Sequence, residues 1–364
     1  MKTHGGDIYG VSASLGVRPE DCLDFSANMN PLGIPGSVKE AMKKSLEELI
    51  YYPDPDCALL VHDLSLFHNV PEEMILAGNG AADLIFRLVY GIRPKKALVT
   101  APTFLEYEEA LKQTDAKIVH YQLNGKLEVT EDILNCITVG TDLMFICNPN
   151  NPTGILTEKK LILDIAKKAE ETGTVLVLDE CFLDFTEREA DDTMVPYLQD
   201  FPHMVILKSF TKMFSIPGIR LGYALCSDRE LIRKIRSAGQ GWSVNTIAAA
   251  AGRAALTERD FVKTSAAYVR EERDWLTAAL KKRGIRVFPG QANYLLIQVE
   301  DCPGLYDKML RYGIMIRRCC NYEGLDETYY RIAVRNHEDN RKLTDVLDQI
   351  IEGEKKKCCK DRED

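Results

Sequence analysis

The chain has 364 residues, 45% hydrophobic and 28% charged, which is ordinary globular composition and long enough for two cores. Its net charge of −9, with no basic stripe, argues against nucleic acid or an anionic membrane surface as the main partner. The first residues lack the apolar core of a signal peptide, no apolar run is long enough to span a bilayer, and the 11 scattered cysteines read as reduced thiols, so a cytoplasmic location is expected. Neither vicinal pair, Cys319-Cys320 or Cys358-Cys359, has metal-binding spacing, and no metal site is expected.

In chain order, a first helix is predicted from Ser37 as N-cap, with Val38, Ala41, Met42, Leu46 and Leu49 on one face. Short apolar runs at 97–100, 143–147, 174–178, 204–207 and 222–226 read as buried strands of a largely parallel sheet. A helix over 158–172 has Thr157 as N-cap and Gly173 just past its end. From about residue 258 the pattern changes to a long charged helix over 261–283, strands at 285–288, 294–299 and 314–317, and a final helix over 337–352. The expected organisation is an N-terminal segment 1–36 packed on the small domain and the active site, and a large α/β domain 37–257. A smaller α+β domain 258–352 and a disordered tail 353–364 would follow.

Ligands of open α/β sheets bind at the carboxyl ends of the strands. After 143–147 comes Asn148-Pro149-Asn150-Asn151-Pro152-Thr153-Gly154, and after 174–178 comes Asp179-Glu180. After 204–207 comes Lys208-Ser209-Phe210-Thr211-Lys212, with Arg220 eight residues further on. Singly, these read as a turn, a cap, a surface lysine and a snorkelling arginine. Jointly, they supply what pyridoxal 5′-phosphate needs: a lysine amine for the imine, a carboxylate for the pyridinium nitrogen, an amide for the ring oxygen, and hydroxyls with an arginine for the phosphate.

The run Asn-Pro-Asn-Asn-Pro-Thr-Gly, then Asp-Glu, then Ser-x-x-Lys with Arg-x-Gly-Tyr resembles the fold-type I, aspartate aminotransferase-like superfamily over essentially the whole chain. That resemblance implies a large domain with a mostly parallel sheet and a smaller α+β domain. It also implies Lys212 as the Schiff-base lysine, Asp179 on the pyridine nitrogen and Asn151 on the ring oxygen. Ser209, Thr211 and Arg220 would bind the phosphate, joined by the backbone of Gly80 and Ala81 at the start of a helix. Tyr107 would stack on the ring. Tyr52 would reach the phosphate of a neighbouring subunit, which implies a homodimer with shared active sites.

Within the superfamily, two groups compete. The stretches His4-Gly5-Gly6, Asp24-Phe25-Ser26-Ala27-Asn28-Met29-Asn30-Pro31-Leu32-Gly33 and Ile316-Arg317-Arg318-Cys319-Cys320 resemble the threonine-phosphate decarboxylases of cobalamin biosynthesis more than the histidinol-phosphate aminotransferases. So does Phe182, three residues after Asp179, where the aminotransferases usually carry a tyrosine. The resemblance implies a lyase that decarboxylates L-threonine O-3-phosphate, with a histidinol-phosphate-type aminotransferase, or another pyridoxal phosphate-dependent enzyme acting on a phosphorylated amino acid, as the alternative. Arg331 would hold the substrate carboxylate. Arg335 and Arg317 are further candidates for substrate anions, and Asn30 and His4 would close the site.

Overall fold

A computed structural model describes residues 5–360, with side chains to residue 354. Its first strand, β1 (Leu23–Asp24), is followed by the strands of a large sheet. These are β2 (Ile75–Gly78), β3 (Lys96–Ala101), β4 (Lys117–Gln122), β5 (Leu143–Cys147), β6 (Val175–Asp179), β7 (Met204–Ser209) and β8 (Gly222–Leu225). The sheet order is β2-β8-β7-β6-β5-β3-β4, and only β8 runs against its neighbours. The chain leaves β3 outward to β4 and returns to β5 on the other side. That reversal opens a crevice beyond the carboxyl ends of β3 and β5.

The later strands are β9 (Arg286–Val287), β10 (Tyr294–Gln298), β11 (Ile314–Met315), β12 (Arg317–Arg318) and β13 (Tyr329–Ala333). Four of them form an antiparallel sheet in the order β12-β13-β10-β9. β1 pairs in parallel with β11, so the N-terminal segment is tied to this second sheet. Phe25 is fully buried there in a core with Leu276, Leu295, Ile314 and Leu343. The long helix Arg259–Lys282 leads into it from the large sheet.

Several local expectations are corrected. The first helix is Gly36–Lys44 with Pro35 at its N-cap, and the Ser37 hydroxyl bonds Glu258 instead of capping. Leu46 and Leu49 lie in a separate 3₁₀ run, Ser45–Ile50, and both are exposed rather than on a buried face. The helix predicted over 158–172 is Lys159–Thr172, because the Asn148 side chain draws the Thr157 N–H (2.7 Å) into the preceding loop. The last helix runs from His337 to Lys360, past the predicted end at Glu352. β2, β4 and β13 were not read from the sequence. Their runs are short or carry polar residues such as Lys117, His120 and Arg331.

Successive side chains of a strand face opposite sides of the sheet. On β7, Lys208 points to one face and meets Glu189 at 2.9 Å, Glu180 at 3.3 Å and Asp184 at 3.7 Å, with its side chain only 4% exposed. His68 joins this cluster through Tyr223 Oη (2.9 Å). Burial, helped by the Lys208 charge, pushes the His68 pKa down to about 3, while burial pushes Asp184 up to about 6. His68 stays neutral in the fold but protonates in the unfolded chain below about pH 6.5. It therefore contributes stability that is present above that pH and lost as pH falls toward 3. Asp184 acts in the opposite sense between about pH 4 and 6. In denaturant titrations, His68→Gln is expected to flatten the loss of stability between about pH 6.5 and 4. An unchanged slope would show that His68 is not held neutral.

Candidate active site

The crevice beyond β3, β5, β6 and β7 holds Asp179, Ser209, Thr211 and Lys212. Asp179 ends β6 beside Cys147 of β5 and is 4% exposed. Its Oδ1 accepts the Cys181 N–H (2.9 Å) and its Oδ2 accepts the Tyr107 hydroxyl (2.7 Å). Ser209 ends β7 and caps the short helix Phe210–Met213, accepting the Thr211 N–H at 3.3 Å. Its hydroxyl lies 2.9 Å from that of Thr211 and accepts a bond from Lys212 Nζ at 3.1 Å. Lys212 Nζ also stands 5.5 Å from the centre of the Phe182 ring.

A wall of packed groups leads from Lys212 to the arginines. Phe182 meets Tyr294 edge to face at 5.0 Å, and the Arg331 guanidinium lies 5.4 Å above the Tyr294 ring. The Tyr294 hydroxyl donates to the Asn150 carbonyl (2.9 Å), which fixes the Asn-Pro loop against β10. Arg331 donates to Asn151 Oδ1 (2.6 Å) and to the Ser26 carbonyl (2.7 Å), and its buried Nε has no partner among the described residues. Arg317 is directly across from it in the β12–β13 register, so both side chains share a face of the sheet, and both are buried. Arg317 donates to Asn321 Oδ1 (2.9 Å) and lies over Tyr322. Like charges directly opposite on neighbouring strands are destabilising. A buried unpaired donor is too. An anion between the two guanidinium groups would relieve both.

At the other end of the crevice, Gly80 and Ala81 open the helix Ala81–Ile92. Gly80 has a positive φ of 85°, and a Cβ on it would come 2.7 Å from Arg220 Nη2. The helix start is backed so closely on β8 that a Cβ on Gly222 would lie 2.7 Å from the Ala81 nitrogen. Arg220 is exposed and makes a long bond, 3.4 Å, to the Pro217 carbonyl. The first N–H groups of a helix have no partner within it. Beside an arginine and two hydroxyls they suit a phosphate.

Three expected roles, those of Tyr107, Asn30 and Arg335, look different in the structure. Tyr107 is fully buried, stacked on Phe145 at 4.6 Å and bonded to Asp179, so no face of its ring is free for a cofactor. Asn30 is buried and donates to the Met213 carbonyl (2.8 Å) and Ser265 Oγ (2.7 Å), while its N–H holds the Lys212 carbonyl (3.0 Å). It braces the Lys212 loop rather than facing a substrate. Arg335 is committed to Asp339 (3.0 Å) and the Asp24 carbonyl (3.0 Å). Tyr52 is 85% exposed and touches Trp242, 5.4 Å between ring centres. His4 lies outside the described residues.

Sequence reading missed Phe104, Asn28 and Tyr294. Phe104, half-buried, packs edge-on against Tyr107 at 5.5 Å. Its position right after Pro102-Thr103, at the end of β3, was the available signal. Asn28 is 5% exposed with no partner for Oδ1, a fact no sequence pattern carries. Tyr294 could have been suspected from a tyrosine opening an otherwise aliphatic strand. Tyr107→Phe leaves Asp179 Oδ2 buried with one donor fewer. It is expected to destabilise the cofactor-free protein by about 1–3 kcal/mol in denaturant titration, and no change would show that the bond is not formed.

Among the described residues no helix is long and apolar enough to cross a membrane, no group of His, Cys, Asp and Glu could hold a metal ion, and all nine cysteines are free. Residues 20–347 match the family of class I and II aminotransferases. The chain is 40% identical to the threonine-phosphate decarboxylase of Salmonella typhimurium over 96% of its own length and 97% of that protein. Among solved structures it resembles the histidinol-phosphate aminotransferase of Clostridium acetobutylicum, with 31% identity, a TM-score of 0.85, and 89% and 98% of the two chains covered. It shares its fold with the histidinol-phosphate aminotransferase of Sinorhizobium meliloti in complex with pyridoxal-5′-phosphate, at 21% identity and a TM-score of 0.85 over 95% and 94% of the two chains. The cofactor is pyridoxal 5′-phosphate, and the residues present fit it: an amine at Lys212, a buried carboxylate at Asp179, and a glycine-lined helix start beside Arg220. The chain belongs to the class I and II aminotransferase family.

Proposed function

We propose that this chain decarboxylates L-threonine O-3-phosphate, giving (R)-1-amino-2-propanol O-2-phosphate and CO₂ as a step of cobalamin biosynthesis. The observation that carries this reading is the buried cross-strand pair Arg317 and Arg331, linked to Lys212 through the Tyr294 and Phe182 rings, with an unpartnered donor on Arg331. Two guanidinium groups on one face suit an amino acid with two anionic ends. The 40% identity to a threonine-phosphate decarboxylase supports that choice of substrate.

Bound at Lys212, pyridoxal 5′-phosphate supplies an electron sink for the pair released when a bond at the substrate Cα breaks. The residues do the rest. Ser209, Thr211, Arg220 and the Gly80-Ala81 backbone hold the cofactor phosphate. Asp179 holds the ring nitrogen, braced from behind by Tyr107, and Phe104 takes the stacking position in place of Tyr107. Asn151 serves both the ring oxygen and Arg331, which ties the substrate carboxylate to the orientation of the ring. Arg331 takes the α-carboxylate and Arg317 the phosphate. By fixing the carboxylate, Arg331 would select which Cα bond is presented for cleavage. The Cα–carboxylate bond breaks and CO₂ leaves. Lys212 Nζ, or a water beside it, then returns a proton to Cα.

The protein acts as a homodimer in this reading. Leu46, Leu49, Ile50, Tyr51 and Tyr52 form a run of exposed apolar side chains that a second copy would cover. Tyr52 then reaches the neighbouring subunit's cofactor phosphate.

Incubation of the purified protein with L-threonine O-3-phosphate is expected to yield CO₂ and the amino alcohol phosphate in equal amounts, with no requirement for 2-oxoglutarate. Keto-acid formation without CO₂ would overturn this reading. Glutamate formed from 2-oxoglutarate would favour an aminotransferase, the reading supported by the likeness to the histidinol-phosphate aminotransferase of Clostridium acetobutylicum. Arg317→Ala is expected to lower kcat/KM by about 100-fold, mostly through KM, because it strips one guanidinium from a bound anion. A loss confined to kcat would move the phosphate away from Arg317.

A further inference from the structure

The N-terminal segment meets Arg331 at Ser26. Asp24 Oδ1 accepts the Ser26 N–H (2.7 Å), the Ser26 hydroxyl (2.6 Å) and the Ala27 N–H (3.2 Å). This turn fixes the Ser26 backbone and aims its carbonyl at Arg331 Nη2, 2.7 Å away. The Ser26 hydroxyl accepts the Gly6 N–H at 2.8 Å, which seats the start of the chain on the same residue. Gly5 lies flat against the carbonyl itself. A Cβ on Gly5 would overlap the Ser26 oxygen and stand 2.9 Å from its carbonyl carbon and 3.1 Å from its Cβ. Two of those three atoms are backbone, and no side-chain rotation can move them aside.

The oxygen that Gly5 covers is the oxygen that holds Arg331. We propose that Gly5 is a positioning residue for the Arg331 guanidinium, acting through the Ser26 carbonyl, and so governs how tightly the substrate carboxylate is held. Arg331 is fixed at two points, Asn151 Oδ1 and Ser26 O, and its unpartnered Nε takes its direction from both. A guanidinium is a rigid planar fork, so moving one acceptor rotates every donor. Arg317 donates to Asn321 and to the Arg318 carbonyl, both on its own segment. A disturbance of the Ser26 carbonyl therefore falls first on the group assigned to the carboxylate. The segment also covers Ser26, which is 3% exposed, and keeps water from competing for its carbonyl.

This inference rests on the assignment of Arg331 to the substrate carboxylate. The test compares two ligands that differ only in that group, L-threonine O-3-phosphate and 1-amino-2-propanol O-2-phosphate. Binding to the holoenzyme is read from the cofactor absorbance, in the first milliseconds of mixing for the ligand that turns over. Gly5→Ala is expected to weaken L-threonine O-3-phosphate by about tenfold and the amino alcohol phosphate by less than about twofold, the pattern of one misdirected charge-assisted bond. Ser26→Ala removes the seat of the Gly6 N–H without pressing on the carbonyl, and is expected to show a smaller loss with the same selectivity. It keeps the test open if Gly5→Ala does not fold. Arg331→Lys provides the reference. If Arg331→Lys is selective for the carboxylate while Gly5→Ala and Ser26→Ala are neutral or weaken both ligands equally, the role of Gly5 is overturned and that of Arg331 stands. If Arg331→Lys shows no such selectivity, the assignment of Arg331 falls, and the inference falls with it.

Discussion

Arg331 joins parts of the chain that are remote in sequence: its two hydrogen-bond partners are Asn151 in the loop after β5 and Ser26 in the N-terminal segment. A buried guanidinium without acceptors is among the costliest groups a protein can hold. The charge on β13 therefore obliges the second sheet, the large sheet and the N-terminal segment to meet at one point. That meeting leaves Nε without a partner among the described residues, over Tyr294, whose ring packs on Phe182 beside Lys212. The packing that satisfies most of the arginine also defines where a substrate anion must go.

The large sheet sorts its charges by a register of one. Asp179 faces the crevice, where Tyr107 holds its carboxylate, while Glu180 turns to the other face and accepts the Thr193 hydroxyl (2.7 Å) and the Met194 N–H (2.8 Å). Ser209 meets Lys212, while Lys208 turns away to Glu180, Asp184 and Glu189. A slip of one residue in β6 or β7 would exchange the two sets. The cluster around Lys208 thus does more than neutralise a buried amine, since it fixes the register that presents Asp179 and Ser209 to the crevice.

Much of this was legible in the sequence. The central strands are short apolar runs with clear ends, and each end gives way to polar residues of a specific kind, as with Asn151, Asp179 and Lys212. The edges were harder: β4 carries Lys117 and His120 and lies at the margin of the sheet, where no second neighbour demands apolar residues. The roles of long side chains were harder still. Nothing in the run Arg331 to Arg335 tells which arginine is held by Asn151 and which by Asp339. A tyrosine on an amphipathic helix looks the same whether it lines a crevice or, like Tyr107, is sealed behind a carboxylate. Such distinctions depend on which segments meet in the fold, as Tyr107 meets Asp179 and Arg331 meets Asn151. Sequence periodicity does not record them.

The central claim is that Arg331 and Arg317 divide the two anions of one substrate above the Lys212 position. A crystal structure of Lys212→Ala with pyridoxal 5′-phosphate and L-threonine O-3-phosphate tests it most directly, because the variant keeps both arginines and cannot complete the reaction. The expected result is the carboxylate on Arg331 Nε, with the Asn151 and Ser26 contacts kept, and the phosphate on Arg317. A substrate bound in the reverse sense, or with its carboxylate clear of Arg331, would contradict the account.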